Sequence, residues 1–224
     1  MSRTVVITGA SSGIGEALYN AFKHASDSRK SSTISEFQHV YGISRNGPDL
    51  FVDVSTLKPV DDPQLDLLPP VDLLINCAGI MPFDEMDRYE TARKVFDTNF
   101  WGTVNMITNL KGKMNGGSCI INIASISGMK AEAELPIYAA SKAAVISLTK
   151  SLALRYAPAI RVNCISPGFY NTNLVEGDLP DDMINTIPMG YEESPETLLW
   201  AVLMIWQTKY MTGSNLVIDG GVLC

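Results

Sequence analysis

Tyr138 and Lys142 stand four residues apart in "YAASK", at the start of a long apolar-striped stretch that runs to about Tyr156. On a helix this spacing puts both side chains on one face, about 6 Å apart along the axis. A phenol lying one turn from an ammonium releases its proton below its ordinary pKa of about 10. Such a pair can give a proton to a neighbouring group or take one from it. The same spacing also describes a tyrosine ring packed inward and a lysine snorkelling to solvent.

Two further stretches bear on a nucleotide. "TGASSGIG", Thr8 to Gly15, follows the β-rich run "TVVIT" and opens a helix. Gly9 allows a sharp turn, and Gly13 and Gly15 let backbone and phosphate approach closely, with Ser11, Ser12 and Ile14 between them. The helix start then offers free N–H groups and a positive dipole end to a pyrophosphate. Between the first strand and first helix of an α/β chain, such a loop is a dinucleotide site. The second strand ends in "ISRN", so Ser44 and Arg45 occupy the place where a carboxylate would take a free ribose 2′-hydroxyl. A guanidinium there suits a 2′-phosphate, so NADP is expected in preference to NAD.

The elements that must carry these residues alternate from end to end. Strands are expected at 4–8, 39–44, 50–53, 72–76, 118–124, 161–166 and 215–219, and helices at 15–24, 91–110, 138–156 and 195–208. The strands are continuously apolar, which implies a sheet covered on both faces. The expected fold is therefore α/β: a single Rossmann-type, doubly wound parallel sheet with helices on both faces and ligands at the strands' carboxyl ends. Only "NGPD" separates the second strand from the third, too few residues for a crossover helix, so a short third strand is expected. The serine-rich stretch 25–36 reads as an extended loop at the far end of the sheet.

Composition narrows the partners. The 224 residues suit one domain, 1–224, with 46% hydrophobic and 18% charged residues. A net charge of −7 argues against nucleic acid and anionic membranes. The longest apolar run, 198–206, is too short to span a bilayer, and the first strand begins too early for a signal peptide. Cys77, Cys119, Cys164 and Cys224 lack metal-ligand spacing and read as reduced thiols of a cytoplasmic protein, so no metal is expected.

Eight motifs in order, "TGASSGIG", "DV" (53–54), "NCAG" (76–79), "TN" (98–99), "NIASISG" (122–128), "YAASK", "SPGFYNT" (166–172) and "TGSNLVIDGG" (212–221), make the chain resemble the short-chain dehydrogenase/reductase family over its full length. That resemblance decides in favour of chemistry at Tyr138. It implies a tetrad of Asn99, Ser125, Tyr138 and Lys142, with Asn99 holding a water beside Lys142. It also implies that Lys142 holds the nicotinamide ribose, and that Asn76, Ala78 and Gly79 pass close to the cofactor. Asp53 and Val54 would meet adenine, while Pro167, Gly168 and Thr172 would wall the nicotinamide. Ser12 departs from the basic residue that many NADP-using relatives carry in the glycine loop. The activity implied is hydride transfer between NADP(H) and a carbonyl or secondary alcohol. A reductase of 3-oxoacyl thioesters, or a nucleotide-binding sensor or scaffold without turnover, are the alternatives.

The segment 169–196, which in the resembling family folds over the substrate, carries Glu176, Asp178, Asp181, Asp182, Glu192, Glu193 and Glu196 and no Lys or Arg. Glu132 and Glu134, opposed only by Lys130, are expected on the facing wall. This field disfavours anions, so a neutral or cationic carbonyl compound is expected, in a pocket lined by Phe169, Tyr170, Leu174, Met183, Ile187 and Met189. Phe100, Trp101, Ile146 and Leu154 widen the apolar surface of the helices at 91–110 and 138–156, so a homotetramer or homodimer is expected.

Overall fold

The computed structural model describes residues 2–28, 33–56, 62–83, 88–172, 174 and 179–224. Seven parallel strands form one sheet: β1 (Arg3–Thr8), β2 (Phe37–Ser44), β3 (Leu50–Phe51), β4 (Val71–Asn76), β5 (Met114–Ile123), β6 (Ile160–Pro167) and β7 (Asn215–Ile218). Their spatial order is β3-β2-β1-β4-β5-β6-β7. The order reverses between β1 and β4, and ligands of open parallel sheets bind at the carboxyl ends beside such a switch.

Helices cover both faces. On one face α1 (Gly13–Ser28) and α7 (Leu198–Gln207) bury Leu18, Phe22, Val202 and Trp206 against Val5, Ile7 and Ile75. On the other, α4 (Gly102–Leu110) and α5 (Pro136–Tyr156) bury Met106, Ile107, Leu110 and Ala153 against Val6, Leu74, Ile120 and Val162. Neighbouring strand residues thus serve opposite layers, which is why the strands read as unbroken apolar runs. Among the described residues no helix is long and apolar enough to cross a membrane.

Several boundaries differ from expectation. The helix at 15–24 extends to Ser28, and a 3₁₀ turn covers Thr33–Glu36, so much of the expected loop 25–36 is regular; 29–32 lie outside the described residues. The helix at 91–110 is interrupted: α3 (Tyr89–Phe96) meets a π turn, Asp97–Trp101, before α4. Ile146 is buried rather than outward-facing. Two four-residue helices were not foreseen, α2 (Pro63–Asp66) and α6 (Asp181–Ile184). Asp62 caps α2 by accepting from Gln64 N, with Pro63 in the first turn.

The short link from β2 to β3 has the expected form. Asp49 takes the place of a crossover helix: its carboxylate accepts from Gly42 N at 2.8 Å and pairs with Lys23 at 3.4 Å. On the far side of β3, the Gln64 amide accepts from Phe51 N and donates to Phe51 O, as a further strand would. That side-chain amide blunts an otherwise open sheet edge.

Candidate active site

The glycine loop lies at the switch between β1 and β4. A Cβ on Gly9, which has φ +69°, would sit 2.9 Å from Ala78 Cα, so only glycine lets the two strand ends touch. Thr8 Oγ1 accepts from both Cys77 N and Ala78 N at 3.0 Å and locks that junction. Around it opens a cleft lined by Gly9, Ser11, Ser12, Ser44, Arg45, Asp53, Val54, Ala78 and Gly79, nine of the expected cofactor residues. Asn46, Ile80 and Thr98 line it too and were missed; Thr98 sits in the quoted "TN" motif, where only Asn99 was given a role.

The other expected contacts lie beyond this cleft. Gly13, at φ +55°, faces Thr172, whose Cβ would stand 3.3 Å from an added Cβ. The loop after β6 therefore reaches across to the glycine loop. Gly15 packs on the carbonyl of Gly9, where a Cβ would come within 2.2 Å, and Ile14 is half-buried beside it. Asn76 turns into the sheet: its Nδ2 donates to Asn122 Oδ1 at 2.9 Å, and its Oδ1 is buried without a partner among the described residues. Pro167 ends β6 beside Ile218, and Gly168 lies hard against Asp219.

At the far side of the cleft the tetrad residues gather from three elements. Asn99 sits in the π turn, a local widening of a helix that often marks a functional position. Its Oδ1 accepts from Ile80 N at 2.8 Å, and its Nδ2 donates to Ile80 O and to Ser141 Oγ, each at 3.0 Å. Most of the amide is thus spent on clamping the β4 loop to α5. Ser141 completes the clamp by donating to Tyr138 O at 2.7 Å. It was missed, and a serine between the tyrosine and lysine of "YAASK" was its only sequence signal.

Lys142 is buried, donates to Ile123 O at 3.0 Å, and lies 5.7 Å from the Tyr138 ring centre. A Cβ on Gly79 would be 3.5 Å from Lys142 Nζ and 3.4 Å from Asn99 Oδ1, so the three groups converge. Burial pulls the Lys142 ammonium down to about 8, against an upward pull from Cys77. Burial pushes the Cys77 thiol up to about 12, with Lys142 acting the other way.

Ser125 begins the turn after β5. Its Oγ accepts from Ser127 N at 3.1 Å, which leaves its O–H to donate elsewhere. The turn packs on α5 at Gly128, where a Cβ would come within 2.7 Å of Ala143 N. Glu132 accepts from Ser127 Oγ at 2.9 Å and pairs with Lys130 at 3.2 Å. The facing acidic wall is therefore weaker than expected, since Glu132 has a cation and only Glu134 is exposed.

These features accept a dinucleotide: a glycine loop at a helix start, a cleft across the switch point, and a desolvated ammonium beside a tyrosine. Comparison with known proteins gives the family. Residues 63–223 match the family model described as Enoyl-(Acyl carrier protein) reductase. Carbonyl reductase family member 4 of Xenopus tropicalis is 32% identical over 234 residues, covering 99% of this chain and 98% of that protein. The 3-oxoacyl-[acyl-carrier-protein] reductase FabG of Chlamydia pneumoniae is 31% identical over 243 residues, covering 99% and 97%. The match takes up only 43% of a longer short-chain type dehydrogenase/reductase of Sinorhizobium fredii. Among solved structures, 4-hydroxyisoleucine dehydrogenase complexed with NADH superposes with a TM-score of 0.84 at 30% identity, covering 99% of this chain and 98% of that one. The chain is an oxidoreductase-type protein of the short-chain dehydrogenase/reductase family.

Proposed function

We propose that residues 1–224 form a single catalytic domain that transfers hydride between NADP(H) and a carbonyl or secondary alcohol, with 169–196 as substrate loop. The observation that carries this reading is the meeting of Lys142 Nζ, the Asn99 amide and Gly79 at the mouth of the dinucleotide cleft. A bound nicotinamide supplies or accepts the hydride. Ser125 donates its O–H to the substrate oxygen, where charge develops. Tyr138 gives that oxygen its proton in reduction and takes it back in oxidation. Lys142 keeps a positive charge beside the phenol, and Asn99 and Ser141 hold the β4 loop and α5 at a fixed separation.

Arg45 supports NADP(H) over NAD(H). It lines the cleft, is exposed, and makes no ion pair among the described residues. The test is steady-state oxidation of NADPH and NADH across a panel of ketones and aldehydes. NADPH is expected to be the better cofactor. Arg45→Ala should lose roughly 10- to 100-fold with NADPH and little with NADH, as for one charge-assisted contact. Equal efficiency with both cofactors overturns the cofactor assignment. Failure to turn over any carbonyl leaves a nucleotide-binding protein without catalysis.

Acyl-carrier substrates are the second reading, favoured by the family model and by the Chlamydia relative. The acidic character of the substrate loop speaks against an anionic partner: Asp181, Asp182, Glu192, Glu193 and Glu196 belong to it, and Glu176 and Asp178 lie outside the described residues.

A further inference from the structure

We infer that a cavity at the carboxyl end of β7 is a binding site for an organic ammonium group, which, on the oxidoreductase reading above, is the charged end of an amino ketone or amino alcohol substrate. The cavity encloses about 60 Å³, room for a few waters or one small ammonium head. Phe169, Tyr170 and Tyr191 supply aromatic walls, Met189 a thioether, and Glu193 and Asp219 two carboxylates. Leu174 and Met183, expected in the same pocket, do not line it and are exposed.

The walls are held by main chain. Asn171 N donates to Glu193 O at 2.9 Å, Glu193 N to Phe169 O at 3.0 Å, and Met189 N to Gly220 O at 3.1 Å. Both carboxylates are oriented but not neutralised. Asp219 accepts from Gly221 N and Leu223 N at 2.9 Å, and Glu193 from Ser194 N at 2.8 Å. Neither has a cationic partner among the described residues. Tyr170 senses this: burial pushes its phenol up to about 12, and the charges of Glu193 and Asp219 act in the same direction against a bond from Thr197. Aromatic faces and uncompensated carboxylates around one small space attract a cation, repel an anion, and offer a neutral group no electrostatic gain.

The position suits a substrate that also reaches the tetrad. Ile123 pairs with Ile165, and Pro167 with Ile218. Ser125, two residues past Ile123, therefore stands one strand spacing from Pro167 and two from Ile218, about 10 Å. Phe169 directly follows Gly168, on the expected nicotinamide wall. The substrate class is thus a carbonyl or carbinol carrying a cationic nitrogen about 10 Å away, by the same strand spacing.

Two methyl ketones of equal length test this, one ending in trimethylammonium and the other in tert-butyl. The cationic ketone is expected to have a kcat/KM at least about tenfold higher at moderate salt, the scale of one partly desolvated cation–aromatic contact. In Glu193→Gln and in Tyr191→Leu that ratio should fall below about threefold, as the charge or the ring is lost. Independently, tetramethylammonium should shift the Met189 methyl resonance, tert-butanol should not, and Glu193→Gln should weaken the response. A ratio near one with no Met189 shift overturns the cavity assignment and leaves the oxidoreductase reading standing. So does a cation preference that Glu193→Gln leaves unchanged. A Met189 response lost in Glu193→Gln, without turnover of either ketone or of any carbonyl in the panel above, upholds the cavity and overturns the oxidoreductase reading.

Discussion

Lys142 holds its charge against the fold. Its ammonium, ordinarily near 10.5, is drawn down to about 8 because burial disfavours the charged form. Below pH 8 both folded and unfolded chains carry this proton, and the folded state bears the whole penalty. Between about pH 8 and 10.5 the unfolded chain binds more protons, so stability rises with pH across that window. The difference corresponds to about 3 kcal/mol. Lys142→Met, without cofactor, should therefore be more stable than the parent by up to about that amount at pH 7, with the gap closing near pH 10.5. Urea unfolding at several pH values checks the sign; a parent that loses stability between pH 8 and 10 relative to the variant contradicts it. Tyr138→Phe belongs to the same scale. It removes a proton-transfer group but keeps the buried ring, so turnover should drop by roughly 10²–10⁴ while dinucleotide affinity changes by less than about twofold. Retention of more than about a tenth of the activity would remove Tyr138 from the proposed role.

Helix ends and sheet edges are secured by residues distant in sequence. α7 is almost wholly apolar and has no basic residue in its last turn. Two cations beyond the helix serve its carboxyl end: Lys209 donates to Trp206 O at 2.9 Å, and Arg161 in β6 donates to Ile205 O, Trp206 O, Thr208 O and Met211 O at 2.9–3.2 Å. Thr208 O also accepts from Met211 N and Met211 O from Asn163 Nδ2, so the buried guanidinium adds charge-assisted donors to a terminus that is partly satisfied already, and it complements the helix dipole. Arg161→Met should cost about 3 kcal/mol or more, since several charge-assisted bonds go at once. Arg161→Lys should fall between, having lost the planar fork. Equilibrium unfolding of the three proteins measures the order; an Arg161→Met protein as stable as the parent would show that the carbonyls find other partners.

The whole molecule leaves large apolar groups at its surface. Trp101 on the π turn is 50% exposed and Leu154 on α5 is 87% exposed. α7 adds Trp200, 73% exposed, with Met204 one turn along. Large apolar side chains exposed on these helices are candidate association surfaces. We propose a homodimer or homotetramer built on isologous helix contacts. Light scattering at micromolar concentration should give a multiple of the 24.4 kDa chain mass. Trp200→Glu should lower that multiple if α7 takes part, and a monomeric mass for the parent rejects the proposal.

What could be read from the residues alone was local or periodic. Continuous apolar runs place the strands, glycines at a strand–helix junction mark the nucleotide loop, and Tyr138 and Lys142 share a face because four residues make about one turn. A link of a few residues between β2 and β3 excludes a helix by chain length alone. Contacts between segments far apart in sequence leave no such trace. That Asn99 clamps Ile80 and Ser141, that Ile146 turns inward, and that Arg161 caps a helix more than forty residues later depend on how layers stack. The break of one expected helix at Asp97–Trp101 likewise escapes a periodicity blind to hydrogen-bond register. Glu193 and Asp219 were legible as acids, but only tertiary structure brings them to the same aromatic cavity, because each is carried there by main-chain pairing between separate segments.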